Sequence, residues 1–245
     1  MMQLRYISLN LDRKIFGNEY GYDFLLHTRF ISNYFSKAIR KSKFETDGSF
    51  NMISIDGSSQ IASPKIVPMT ALKISLEFNK ERYAQIRGTD NCDYYLEMLE
   101  KGFKQADKFK PVPLDILLGI ILEFKKNNCK NEWLHKKKRF REHDLEVILT
   151  CEFTTNYFKL RATINQLSTK KELIEEAVIT TEPDEVLFGK MFKDILINDN
   201  NVIITDSSDT ARILINKKDA FIGKLTFEIM GDEQVKKTLS FNPQI

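Results

Sequence analysis

The chain has 245 residues, 42% of them hydrophobic and 29% charged, with a formal net charge of +3. That balance builds a core and excludes a disordered chain. So small a net charge excludes a general attraction to nucleic acid or anionic membrane, and electrostatics must be read locally.

The N-terminal MMQLRYISLNLDRK alternates apolar and polar residues, without the apolar block of a signal peptide. Residues 3–11 read as a first strand. Residues 19–41 carry a helical stripe in which Phe24, Ile31, Tyr34, Phe35, Ala38 and Ile39 share one face. Residues 49–56 follow the turn signal TDGS as a strand, and 57–68 is a loop by composition. The clearest strand is 70–78, where Leu72, Ile74, Leu76 and Phe78 alternate with Lys73, Ser75 and Glu77.

Residues 91–108 and 113–128 read as two helices, with FKPVP as the corner between them because proline cannot sit in a helix interior. The longest unbroken apolar run, 116–122, is far short of a membrane span, so no membrane partner is expected.

Beyond them, 145–153 and 158–164 form a hairpin. A turn at Thr155-Asn156 pairs Phe153 with Phe158, Cys151 with Leu160 and Glu152 with Lys159, matching apolar to apolar on one face and acid to base on the other. Residues 168–180 suit helix or strand. Residues 182–197 read as a helix begun at Pro183, followed by the strand NNVIITD. GKLTFEIM and QVKKTLSF read as a second hairpin around Gly231. The fold class is α+β, a mainly antiparallel sheet built from hairpins with three to four helices on one face or end. Nothing resembles a linker, so one continuous domain over 1–245 is expected, with any subdivision near residue 130.

Chemistry-bearing patterns are few. Cys92, Cys129 and Cys151 are far apart without a CxxC pair, which indicates neither a disulfide framework nor a thiolate zinc site and suits a reducing cytoplasm. Cys151 reads as a core residue. Asp23 and His27 have the i,i+4 spacing of metal ligands, but two ligands fall short of a site, and His27 reads as a hydrogen-bonded core histidine. His135 and His143 read as exposed loop residues. Phosphate loops and nucleophile elbows are missing from the sequence. No catalytic residue, metal ligand or cofactor site is assigned, and the balance leans away from an enzyme.

The segment LHKKKRFREHD, residues 134–144, is the most basic in the chain. If strand 145–153 ran backwards in phase, Arg139, Arg141 and His143 would enter the apolar face, where unpaired charge is not tolerated. The strand must therefore end or bend near Leu145, and a solvated connection is the plainest reading. Across 123–142, eight Lys and Arg face Glu123, Glu132 and Glu142, a local +5. Lys136, Lys137, Lys138, Arg139 and Arg141, with Trp133 and Phe140, form the candidate partner-binding set. Residues 167–200 hold eight Asp or Glu against four Lys, and they could face the basic segment or form the other end of an electrostatically divided surface.

The leading expectation is a non-catalytic cytoplasmic protein that binds another protein with an acidic surface, an immunity-type neutralising partner being one version. The first alternative is nucleic-acid binding through 125–141, with Trp133 and Phe140 stacking on bases. The second is an enzyme whose site is assembled from dispersed residues.

Overall fold

The structure is a computed structural model in which residues 2–240 are described. Helices and three mostly antiparallel sheets make an α+β fold, with eight α-helices among the described residues, more than the sequence suggested. The chain forms two compact units, Met1–Asn131 and Glu132–Ile245.

The first unit contains β1 (Tyr6–Leu11), α1 (Arg13–Phe16), α2 (Asn18–Ser42), β2 (Met52–Ser58), β3 (Lys65–Val67), β4 (Ala71–Glu77), α3 (Lys80–Ile86), α4 (Asp93–Phe109) and α5 (Leu114–Lys126). Its sheet runs β1-β2-β4-β3. β1, β2 and β4 are parallel and only β3 is antiparallel, so the hairpin expectation fails here. Parallel neighbours require a crossover, which α2 supplies between β1 and β2. β3 lies in the segment expected to be loop, and α3, capped by Asn79, was not foreseen.

Strand alternation sorts this sheet into two faces. Ile7, Leu9, Ile53, Ile55, Leu72 and Ile74 are buried, beneath α2 and α4. The other face is a polar ladder: Asn10 Nδ2 donates to Ser8 and Ser54 at 3.1 Å, Ser54 donates to Asp56 at 2.6 Å, and Asp56 pairs with Lys73 at 2.8 Å.

α4 and α5 form a helical hairpin that returns the chain to its start. Lys125 reaches Asp93 at 3.2 Å, and Cys92 is disulfide-bonded to Cys129 with Cα atoms 6.6 Å apart. This corrects the cysteine expectation. The two residues are distant along the chain, but they flank the open end of an antiparallel helix pair.

The second unit follows with β5 (Asn131–Phe140, whose first residue closes the preceding unit), a 3-10 turn (Arg141–His143), β6 (Leu145–Phe153), β7 (Phe158–Gln166), β8 (Glu172–Thr181), α6 (Glu185–Phe188), β9 (Asp194–Ile197), β10 (Asn201–Thr205), β11 (Ala211–Asn216), α7 (Lys217–Phe221), β12 (Phe227–Ile229) and α8 (Glu233–Leu239). Two sheets result, in orders β5-β6-β7-β8 and β12-β11-β10-β9. The β6–β7 register is the expected one, with Phe153 opposite Phe158, Cys151 opposite Leu160 and Glu152 opposite Lys159. Residues 168–180 resolve as strand, because β8 continues the sheet against β7.

Two expectations here are overturned. The helix expected over 182–197 shrinks to α6, because β9 pairs with β10 and the aliphatics Ile195 and Ile197 are used in strand register. The C-terminal hairpin around Gly231 does not form. β12 pairs with β11 instead, and Asp232 accepts from the Val235 amide at 2.8 Å to cap α8. Residue 241, part of that expected hairpin, lies outside the described residues.

Among the described residues no helix is long and apolar enough to cross a membrane.

Candidate partner-binding site

The basic segment is not a connection. Residues 131–140 form β5, an edge strand beside β6, and only 141–143 make the turn into it. Lysines on an edge strand discourage another chain from pairing there, so part of the charge has a structural reason.

Alternation on β5 sends its cations to two carboxylates. Lys137 and Arg139 reach Glu146 on β6, at 3.1 and 2.6 Å. Lys136 and Lys138 reach Asp194 at the start of β9, both at 3.1 Å, and Lys138 also donates to the Ile195 carbonyl at 2.7 Å. The Arg139 guanidinium, joined by Lys137, holds the Glu146 carboxyl below its ordinary value despite its burial. Burial works against the charged form of Asp194, but the Ile195 amide, Lys138 and Lys136 outweigh it and hold the group down to about 2. Of the two arrangements left open for the acidic region, Asp194 supplies the one in which it meets the basic segment.

The two aromatic candidates part company. Trp133 packs against Phe158 with ring centroids 6.3 Å apart, and Phe158 in turn stacks on Phe188 at 3.5 Å. Trp133 thus belongs to the edge of an aromatic core and is not presented as a platform for bases. Phe140 lies at the far end of β5, with the Lys138 ammonium 5.6 Å from its ring centroid. Lys125 and Lys126 belong to α5 in the first unit, and Lys125 is paired with Asp93. The run counted along the sequence is therefore divided between the two units.

At the end of β5 a cleft of about 620 Å³ is lined by Arg139, Phe140, Arg141, Glu142, His143, Leu196 and Ile197. Arg139 is exposed despite its bond to Glu146, Arg141 is exposed, and Leu196 is 43% exposed. Lys217 Nζ donates to His143 Nδ1 at 3.3 Å beside it. His135, by contrast, sits in β5 and donates through Nε2 to the Phe192 carbonyl at 2.5 Å. Guanidinium forks beside exposed aliphatic surface suit a carboxylate with a neighbouring apolar side chain. Leu196, Ile197 and Lys217 were missed in the sequence because strand pairing, not proximity along the chain, brings them here. The acidic tilt of 167–200 was the only signal pointing that way.

Two other clusters bring titratable groups together. Asp23 and His27 on α2 join Tyr83 and Arg87: Tyr83 donates to Asp23 at 2.6 Å, Arg87 reaches Asp23 at 2.5 Å, and His27 Nδ1 donates to the Asp23 carbonyl at 2.8 Å. Burial, helped by Asp23, pushes the Tyr83 phenol up, so it remains a neutral donor that ties helices together. A cleft of about 610 Å³ beyond β4 is lined by charged groups including Glu77, Lys80, Arg82, Glu97 and Lys101. There Glu97 is held by Arg82 at 2.6 Å and Lys101 at 2.7 Å, and these partners lower it to about 2. No family model, curated protein or solved structure matches the chain.

Proposed function

We propose that the protein works by binding another protein, and that the cleft at the end of β5 receives an acidic segment of that partner. The observation that supports this most is the division of labour on β5. Four cations are engaged by Glu146 and Asp194, while Arg141 and the open side of Arg139 stand beside exposed Leu196. Arginine is enriched among the anchors of protein interfaces, and the exposed aliphatic beside it offers apolar surface to bury. A nucleic-acid groove would instead keep its lysines available for phosphates and its aromatics open for stacking. A non-catalytic, neutralising role of immunity type is the concrete version of this reading, and a cytoplasmic setting belongs to it.

The test is affinity purification from the native host with and without nuclease, read by mass spectrometry. The reading requires a stoichiometric protein partner that survives nuclease and is lost on Arg141→Glu and on Leu196→Asp. Partners that vanish with nuclease would transfer the site to nucleic acid. The redox state of Cys92 and Cys129 in the host, read by thiol alkylation, checks the compartment.

A further inference from the structure

A groove of about 600 Å³ in the second unit is lined by residues 177–180 of β8 and 227–229 of β12, with Lys236, Leu239 and Ser240 of α8 alongside. Side chains of a strand alternate between faces, so a cavity bordered by a face meets every second residue. Runs of consecutive residues mean that strand edges form these walls. Both strands end their sheets, β8 beside β7 and β12 beside β11.

The ladders show which main-chain groups face the groove. In an antiparallel pair a strand bonds its neighbour at every second residue and turns outward between. Asn216 donates to the Thr226 carbonyl and Met230 to the Arg212 carbonyl, both at 2.8 Å. Positions 226, 228 and 230 therefore face β11, and Phe227 and Ile229 aim their N–H and C=O groups outward. On the other wall, Gln166 donates to the Lys171 carbonyl at 2.8 Å, which turns the even positions of β7 toward β8. Phe158 and Leu160 thus bond their register partners Thr181 and Ile179, and Thr180 between them faces outward. Among the described residues no hydrogen bond reaches the outward main chain of Thr180, Phe227 or Ile229.

We propose that this groove binds an extended segment of another protein as an added β-strand. The walls select the occupant by their main chain. Outward N–H and C=O groups at strand spacing are satisfied along their length by another strand. A groove with an edge on each side takes a strand that is unpaired on both of its own sides. That excludes a sheet edge of a second folded copy, which already has a neighbour. Phe227 and Ile229 share one face of β12 with Glu228 on the other, so the segment alternates apolar and polar residues to match. Buried Val178, Ile179 and Leu239 add apolar wall. The proposal does not rest on the cleft at the end of β5.

The experiment selects displayed random linear peptides on the full chain and then follows amide hydrogen exchange by NMR. In the free chain the Phe227 and Ile229 amides should exchange fast and the Glu228 amide slowly. A saturating selected peptide should slow Thr180, Phe227 and Ile229. N-methylation of a central peptide bond should weaken binding about tenfold, the loss expected for one or two hydrogen bonds. Ile229→Pro removes an outward donor but no bond to β11, so it should weaken binding to a similar extent while keeping the ladder. Phe227→Lys alters an exposed side chain and opposes strand addition, which keeps the test valid if the proline disturbs the strand. Three results overturn the proposal. One is that no linear peptide is selected, and another is that the selected peptides tolerate N-methylation. The third is that the Phe227 and Ile229 amides are already slow in the free chain and become fast in a chain ending at Ser240, which would make the chain's own C-terminus the occupant.

Discussion

Arg139 on β5 donates through Nε to Glu146 on β6 at 2.6 Å, across the 3-10 turn that joins the two strands. The most basic segment of the chain is therefore held by a carboxylate supplied by the next strand. Asp194 does the same from the other side. The cations of β5 fasten this sheet edge before they are available to any ligand.

If these carboxylates mask the strand, removing them exposes it. Glu146→Gln combined with Asp194→Asn leaves four cations without their partners. The double variant should bind a single-stranded oligonucleotide more tightly than the unaltered chain at low salt. Its log K against log salt plot should steepen by about 0.7 for each new phosphate contact. Equal affinity and slope in the two chains would mean that the β5 cations share no surface a phosphate backbone can follow.

The same carboxylates set an acid limit. Asp194 lies at about 2, below its ordinary 3.8, and Glu146 is also lowered. Groups depressed in the folded state contribute stability that is full above their unfolded values and is lost as pH falls through the folded ones. The urea midpoint should stay level from neutral pH to about 5, then drop toward about 2. Solvent exposure limits the Asp194 share to about 1 kcal/mol. Asp194→Asn should flatten that acid limb, and a limb of unchanged steepness would assign it to other carboxylates.

The sequence showed what local alternation and pairing determine. The β6–β7 register followed from matching Phe153 to Phe158 and Glu152 to Lys159, because a slip of one residue would turn Phe153 outward. Helices α2, α4 and α5 followed from long stripes. What stayed hidden depended on distant partners. β9 became a strand because β10 was there to pair with it, and α8 replaced a strand because Asp232 could cap it. At the candidate site, the positive side chains were legible by count, but their neutralisation was not. It depends on Asp194, which reaches Lys138 across 56 positions of sequence. Trp133 read as a stacker because a lone aromatic among lysines looks exposed until Phe158 is placed against it.

The Cys92–Cys129 bond closes a loop of 37 residues around the α4–α5 hairpin. Loop-closure entropy for that length corresponds to roughly 3–4 kcal/mol. Reduction, or Cys92→Ser, should lower the denaturant midpoint accordingly, and Cys92→Ser combined with Cys129→Ser should give the same loss. Equal midpoints for the oxidised and reduced chains would remove the bond from the stability of the fold. Non-reducing peptide mapping then tells whether it had formed.

Gly102 gives the sharpest test of packing in the first unit. Alanine in place of a helical glycine ordinarily adds up to about 1 kcal/mol of stability. At this position the new methyl would lie 2.5 Å from Ile55 Cδ1 and 2.6 Å from its Cγ1, and Ile55 is fully buried on β2. α4 or the Ile55 side chain must move, and overpacking of a tight core costs about 1–3 kcal/mol. The clash outweighs the propensity gain, so Gly102→Ala should lower the urea midpoint. Adding Ile55→Val removes the nearest methyl group and should restore part of the loss, although alone it costs about 1 kcal/mol. Such a reversal in the double-mutant cycle would locate the effect in the α4–β2 contact. Simple additivity of the two losses would mean that α4 does not approach β2 as closely as described.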